Sequence, residues 1–165
     1  MSPPRDATDT HPEPSRRLPP QARTLWRVRV AVRWAGVMIG AAIAATTLGD
    51  ELPGLVATLL WVAPVAGLAV DLAASELRWR RWRFEVREEE IDLRRGAFTV
   101  TRTLVPTARV QHVDTHRGVL DRAFAVSTVV VHTAAGAISI PALLATDADA
   151  VRDRIATLSR SPDEL

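Results

Sequence analysis

Residues 30 to 70 carry two consecutive apolar runs, parted by Gly49-Asp50-Glu51 and flanked on both outer sides by arginines. The first, Val30 to Leu48, is interrupted by Arg33; the second, Leu52 to Val70, has no charge. A helix needs about 20 apolar residues to cross the hydrocarbon core of a bilayer, within a range of about 17 to 25. The second run meets this directly, and the first does so when Arg33 snorkels to the interface. Paired helices in a soluble core would keep a polar stripe at helical period, and Leu55 to Val70 has none. The chain is therefore expected to hold a two-helix transmembrane hairpin over residues 23–75, with spans near 30–48 and 52–70. A leader cleaved near Ala42-Ile43-Ala44 fits less well, because more than 30 residues precede that point and signal peptides occupy about 15 to 30 in all.

Charge orients the hairpin. Arg16, Arg17, Arg23, Arg27, Arg29 and Arg33 precede or open the first span, Arg78, Arg80, Arg81 and Arg83 follow the second, and the connection carries only acids. Positive flanks stay cytoplasmic, which predicts a multi-pass protein of the cytoplasmic membrane with both termini inside. Trp26 and Trp34 at one end and Trp79 and Trp82 at the other have the placement of interfacial aromatics. With Arg29, Arg33, Arg78, Arg80, Arg81 and Arg83 they make the expected membrane-interface set, and residues 76–83 form an Arg/Trp linker.

All 21 basic residues are arginine, and the net charge is only +2. The high isoelectric point therefore reflects the pKa of arginine more than an excess of charge. It is no nucleic-acid signature, and no nucleic-acid partner is expected. The absence of cysteine excludes disulfides and thiolate chemistry. Residues 1–22 are rich in proline and polar residues, read as a disordered cytoplasmic tail.

From residue 82 the apolar period becomes two. Trp82, Phe84 and Val86 mark one strand, Glu88-Glu89 a turn, and Ile91 and Leu93 a second strand with Asp92 and Arg94 on the opposite face. Arg95-Gly96 supplies the next reversal. Phe98 to Val105 reads as a third strand ended by Pro106, and Arg109 to Thr115 as a fourth whose alternation slips between Val110 and Val113, as at a bulge. Gly118 to Phe124 is a short helical turn. Val126 to Thr133 and Ala137 to Ile140 are strands joined at Ala134-Ala135-Gly136. Thr146 to Ser159 is a helix with a capping box at Thr146 and Asp149 and an apolar stripe of Val151, Ile155 and Leu158. Six to seven antiparallel strands and one terminal amphipathic helix, over residues 84–159, suit a small bent sheet or barrel plugged by that helix, with 160–165 as a tail.

The segments Arg109-Val110-Gln111-His112-Val113-Asp114, Gly118-Val119-Leu120-Asp121-Arg122-Ala123-Phe124 and Val129-Val130-Val131-His132-Thr133-Ala134 with Gly136 resemble the bacterial PH-like domain of YdbS-like membrane proteins. The resemblance, which includes the hairpin, spans roughly residues 22 to 158. It implies a mainly-β PH-like barrel, capped by a C-terminal helix and held at the cytoplasmic face. It implies no catalytic residues, and it allows a larger relative with several such domains as a partner. Arg109, Gln111, His112, Asp114, Gly118, Leu120, Arg122 and Phe124 are motif positions with an expected structural role. Family members often have glycine after the phenylalanine, where this chain has Ala125; if that glycine takes a positive φ, the local backbone here should differ.

Catalytic chemistry finds little support. No Gly-x-Ser-x-Gly surrounds Ser127 or Ser139, and no glycine loop could cradle a phosphate. His112, Asp114 and His116 alternate on a strand and raise a two-His-one-carboxylate site, but an exposed polar strand face explains them better and the expected bulge would break the shared face, so no metal or cofactor is expected. In the first hairpin, Arg87-Glu88-Glu89-Glu90 would repel a phosphorylated headgroup. The expected function is a non-enzymatic membrane protein that displays its barrel for protein–protein contact or assembly. The partners are the bilayer and a membrane or cytosolic protein, with homo-oligomers open. The alternatives are an anionic-lipid sensor using the arginine band and a metal-dependent enzyme at His112 and Asp114.

Overall fold

A computed structural model describes residues 12–48 and 53–160. The acidic connection at Gly49-Asp50-Glu51, residues 1–11 of the proline-rich tail and residues 161–165 lie outside that range. Two long helices, α1 (Pro20–Leu48) and α2 (Gly54–Arg81), are both long and apolar enough to cross a membrane. Each continues well beyond its apolar run. Ten residues of α1 precede Val30 and eleven of α2 follow Val70, which at the helical rise adds about 15 Å of stalk. Pro20 opens α1 at a position where its missing N–H has no intrahelical partner to lose.

The stalk leads into two antiparallel sheets. The first has the order β1-β2-β3-β4, with β1 (Arg16–Arg17), β2 (Arg83–Val86), β3 (Glu90–Arg95) and β4 (Thr101–Pro106). The second has the order β5-β6-β7, with β5 (Val110–His116), β6 (Val126–Thr133) and β7 (Gly136–Leu144). A 3-10 turn (Thr107–Arg109) joins the sheets, α3 (Val119–Ala123) bridges β5 and β6, and α4 (Ala145–Ser159) packs across both sheets. The period-two pattern marked Phe84, Val86, Ile91 and Leu93, and all are buried, as are Val129 and Val131 within the strand read over Val126 to Thr133.

Several expectations need correction. Residues 12–22 are no free tail: Arg16 and Arg17 pair with Phe84 and Arg83, and Leu18, Ala22 and Leu25 enter the barrel core. Leu25 is 0% exposed, a burial that stabilises by about 2 kcal/mol. The hairpin and the barrel thus share one core, and the span limits at 30 and 70 mark where apolarity ends rather than where the helices end.

In β4 the strand starts at Thr101, because Gly96 to Val100 are consumed by the turn, leaving Phe98 74% exposed. The strand after the Ala134-Ala135 turn runs on to Leu144. Pro141 and Ala142 fall in a register shift between the pairs Val129↔Ile140 and Ser127↔Leu143, so the missing proline donor breaks no ladder bond. The slip read between Val110 and Val113 is a register shift at Val110/His112. The Thr146–Asp149 capping box does not form: α4 has no side-chain cap, and its first amide, Ala145 N–H, donates to the Ala125 carbonyl at 3.1 Å.

Ala125 itself has φ 52°. The chain keeps the positive φ that the glycine of related sequences suggested, and accepts it on an alanine. A left-handed L-residue costs about 1 kcal/mol, and Ala125 is exposed. Ala125→Gly should therefore raise stability by about 0.5–1 kcal/mol, read as a higher midpoint in thermal melts of the purified protein.

Candidate functional site

The expected interface residues fall into a collar where stalk and barrel meet. Trp26 and Trp82 do not face headgroups. They are 9% and 6% exposed and pack edge to face at 6.0 Å in the barrel core. Trp79 packs against the same core and donates its indole N–H to the Pro19 carbonyl at 3.2 Å. These aromatics were drawn inward because both helices continue past the apolar runs, which carries their flanking tryptophans to the barrel. Trp34 lies nearer the membrane. Its ring lies over Gly67, where a Cβ would come within 2.0 Å of it, and its indole N–H donates to Asp71 Oδ2 at 2.7 Å.

The arginines are mostly engaged. Glu76 accepts from Arg23 (2.7 Å), Arg27 (3.1 Å) and Arg80 (2.9 Å), tying α1 to α2. The Arg23 hydrogen bond, opposed by desolvation and reinforced by Arg80 and Arg27, holds the Glu76 carboxyl below its usual pKa range. Arg33 pairs with Asp71. Arg29 reaches Asp121 Oδ1 at 2.7 Å, while the other Asp121 oxygen accepts the Gly118 N–H at 2.9 Å. The Gly118-to-Phe124 motif is thus the latch by which α1 grips the barrel, with Leu120 and Phe124 packed on the core and Arg122 exposed. Arg81 donates to the Ala97 carbonyl and Arg83 to those of Arg80 and Trp82. Desolvation by burial, with Arg17 and Arg94 nearby, lowers the Arg83 pKa.

Arg78 differs: its guanidinium stacks over Trp26 at 5.8 Å, and no ion pair to it is recorded among the described residues. It lines a cavity of about 260 Å³ between α1 and α2, together with Arg29, Arg33, Asp71, Ser75 and Trp26. Asp71 and Glu76 went unnoticed in sequence, and Asp121 stood only within its motif run, with no role. For the first two there was a signal, since they are the only acids between Leu52 and Phe84 and face a run of arginines.

Two surfaces of the barrel remain. Among the described residues the β4 edge has no strand beyond it in its sheet, and Leu104, Val105, Pro106, Arg109, Thr133 and Ala135 line a mostly apolar groove of about 380 Å³ beside it. Phe98, Val100 and Leu104 are exposed there. The turn at Glu88 and Glu89 holds Arg87 against Glu90 (2.9 Å), Glu85 (3.4 Å) and Asp92 (3.6 Å), which leaves no free cation to meet a phosphate at that loop. On the outer face of the second sheet, His112 and Asp114 do approach a histidine, but it is His132 on β6, the register partner of His112. His116 lies four residues along the strand from His112, about 13 Å away at the strand rise, and cannot share its ligand. Gln111 sits in the bulge and is exposed.

Residues 28–159 match the family described as Bacterial PH domain, a match that takes in both long helices as well as the barrel. The chain is 35% identical over 154 residues to the transmembrane protein YdbS of Bacillus subtilis (strain 168), across 92% of this chain and 97% of that protein. No solved structure matches.

Proposed function

We propose, on the premise that the chain belongs to the bacterial PH domain family, that it is a non-enzymatic membrane protein displaying its barrel at the cytoplasmic face to a protein partner. The β4 edge receives an extended segment of that partner. The observation that carries this is the β4 edge, unpaired among the described residues, beside its apolar groove. Free backbone groups give such an edge its affinity, and the pockets for alternate side chains give it selectivity. A partner with a β-prone apolar segment fits, whether cytosolic, membrane-bound, or a larger relative with several such domains. The arginine-rich flanks support a cytoplasmic barrel.

The chain has no cysteine, so single-cysteine variants test both parts cleanly. In intact cells a membrane-impermeant maleimide should label Asp50→Cys and spare Glu89→Cys; the reverse pattern overturns the orientation. A photocrosslinker at Leu104→Cys should give a discrete adduct in native membranes that disappears when Phe98→Asp and Val100→Asp are added. An adduct that survives those changes sinks the edge reading.

A second reading, anionic-lipid sensing, is supported by the arginine-lined cavity and by Arg78, which has no ion pair among the described residues. Juxtamembrane basic residues gain about 1 kcal/mol each near an anionic leaflet. Because α1 completes the barrel core, the full chain in nanodiscs is the proper sample. Stabilisation by anionic over neutral lipid, lost in Arg78→Gln, would favour this reading over the first.

A further inference from the structure

We infer that the outer face of the second sheet carries a binding site for a divalent transition-metal ion of the zinc class, formed by His112, Asp114 and His132. His112 and His132 are direct cross-strand partners on β5 and β6. Their rings stack at 4.2 Å with planes 11° apart. Asp114, two residues along β5, shares that face and brings Oδ2 to 3.6 Å from His112 Nε2 and 3.3 Å from His132 Nε2.

The two carboxylate–imidazole separations are close to what a metal would require. Tetrahedral zinc with bonds of about 2.0–2.1 Å places its ligand atoms about 3.3–3.4 Å apart. The three ligand atoms lie within 4.8 Å of one another, so small side-chain rotations complete the set. His132 Nε2 is shielded from solvent and has no hydrogen-bond partner among the described residues, although it is a polar atom that should have one. An ion seated between the three groups would satisfy it. Two imidazoles and one carboxylate select zinc, nickel or copper(II) over magnesium or calcium, which prefer all-oxygen shells. The side chains are 59%, 48% and 32% exposed in the order His112, Asp114, His132, so the ion is reached from solvent. The fourth position is left for water or an exchangeable ligand. Because the ligands come from neighbouring strands, binding staples β5 to β6.

The test uses untagged full-length protein in detergent, with Zn²⁺ titrated against a chromophoric chelator. One ion per chain should bind, and the melting temperature should rise with Zn²⁺ because the ion favours the folded chain. His132→Asn and His112→Asn should each weaken binding at least tenfold, roughly the least effect expected of a ligand given the ~10–100-fold cost of losing even an outer-shell partner. His116→Asn and His11→Asn should leave it unchanged. Copper(II) in the wild-type protein should show coupling to two imidazole nitrogens by electron paramagnetic resonance, a readout that does not depend on any variant folding. Failure of the wild type to bind one ion, or equal weakening by His116→Asn, would overturn the site.

Discussion

Replacing Arg102 with methionine is expected to destabilise the barrel by about 3 kcal/mol. Asp92, on β3, is 0% exposed although it points away from the apolar core. Arg102 grips it with two hydrogen bonds, Nε at 3.1 Å and Nη2 at 2.8 Å, and Arg87 stands 3.6 Å away. Both arginines also donate to the Pro12 carbonyl, and Arg94 pairs with Glu13 at 2.7 Å, so the N-terminal segment roofs the cluster. Breaking a buried pair by removing one partner leaves an uncompensated charge and costs about 3–5 kcal/mol; the remaining Arg87 contact puts this case at the low end. The double variant Asp92→Leu/Arg102→Met should recover most of the loss, because the pair is not itself a large net source of stability. Thermal or denaturant unfolding of the four proteins of the cycle reads this directly. A single-variant loss below about 1 kcal/mol, the scale of an exposed pair, would mean that Asp92 is solvated.

Gly96→Ala should be at least as damaging. Gly96 has φ 134°, a conformation that L-residues rarely adopt, and an added Cβ would lie 1.8 Å from the Thr99 carbonyl oxygen. Backbone strain alone costs about 1–3 kcal/mol. The overlap is with main chain rather than a mobile side-chain end, so the β3–β4 turn must rearrange. A loss of about 3 kcal/mol or more follows. Gly136→Ala provides the internal comparison. Its φ is 132°, but nothing lies within 4 Å of the added Cβ, so only the strain should be felt. If the two variants lose equal stability in the same melt, steric overlap at Gly96 is not what matters. Alanine does hold a positive φ at two positions, exposed Ala125 and buried Ala142, both at φ 52°, far from the 134° of Gly96.

The legible parts of this protein were those set by local pattern. Helical runs of apolar residues declared the hairpin, alternation declared Phe84, Val86, Ile91 and Leu93, and the slip at Val110 declared a bulge. Strand ends were less legible. In sequence the last strand reaches only Ile140, and the pairing of β6 with β7 carries it through a bulge at Pro141 and Ala142 to Leu144. Sites made across strands were illegible in principle, since nothing in the spacing of His112 and His132 announces that they are register partners. The one-strand grouping with His116 failed for the same reason: shared face is not shared position.

By itself, then, the sequence determined the class of the protein. Two apolar runs of spanning length lead to a membrane, and period-two segments lead to antiparallel sheets, because both follow from residues close in the chain. Tertiary structure decided which polar groups meet. It drew Trp26 and Trp82 into the core instead of the headgroups, and joined Arg29 to Asp121 across 92 positions. It also buried Asp92 beneath an N-terminal segment that composition had marked as tail. Those outcomes depend on how far the helices extend and which strands pair, and the free energy of such contacts exists only once distant parts of the chain are brought together.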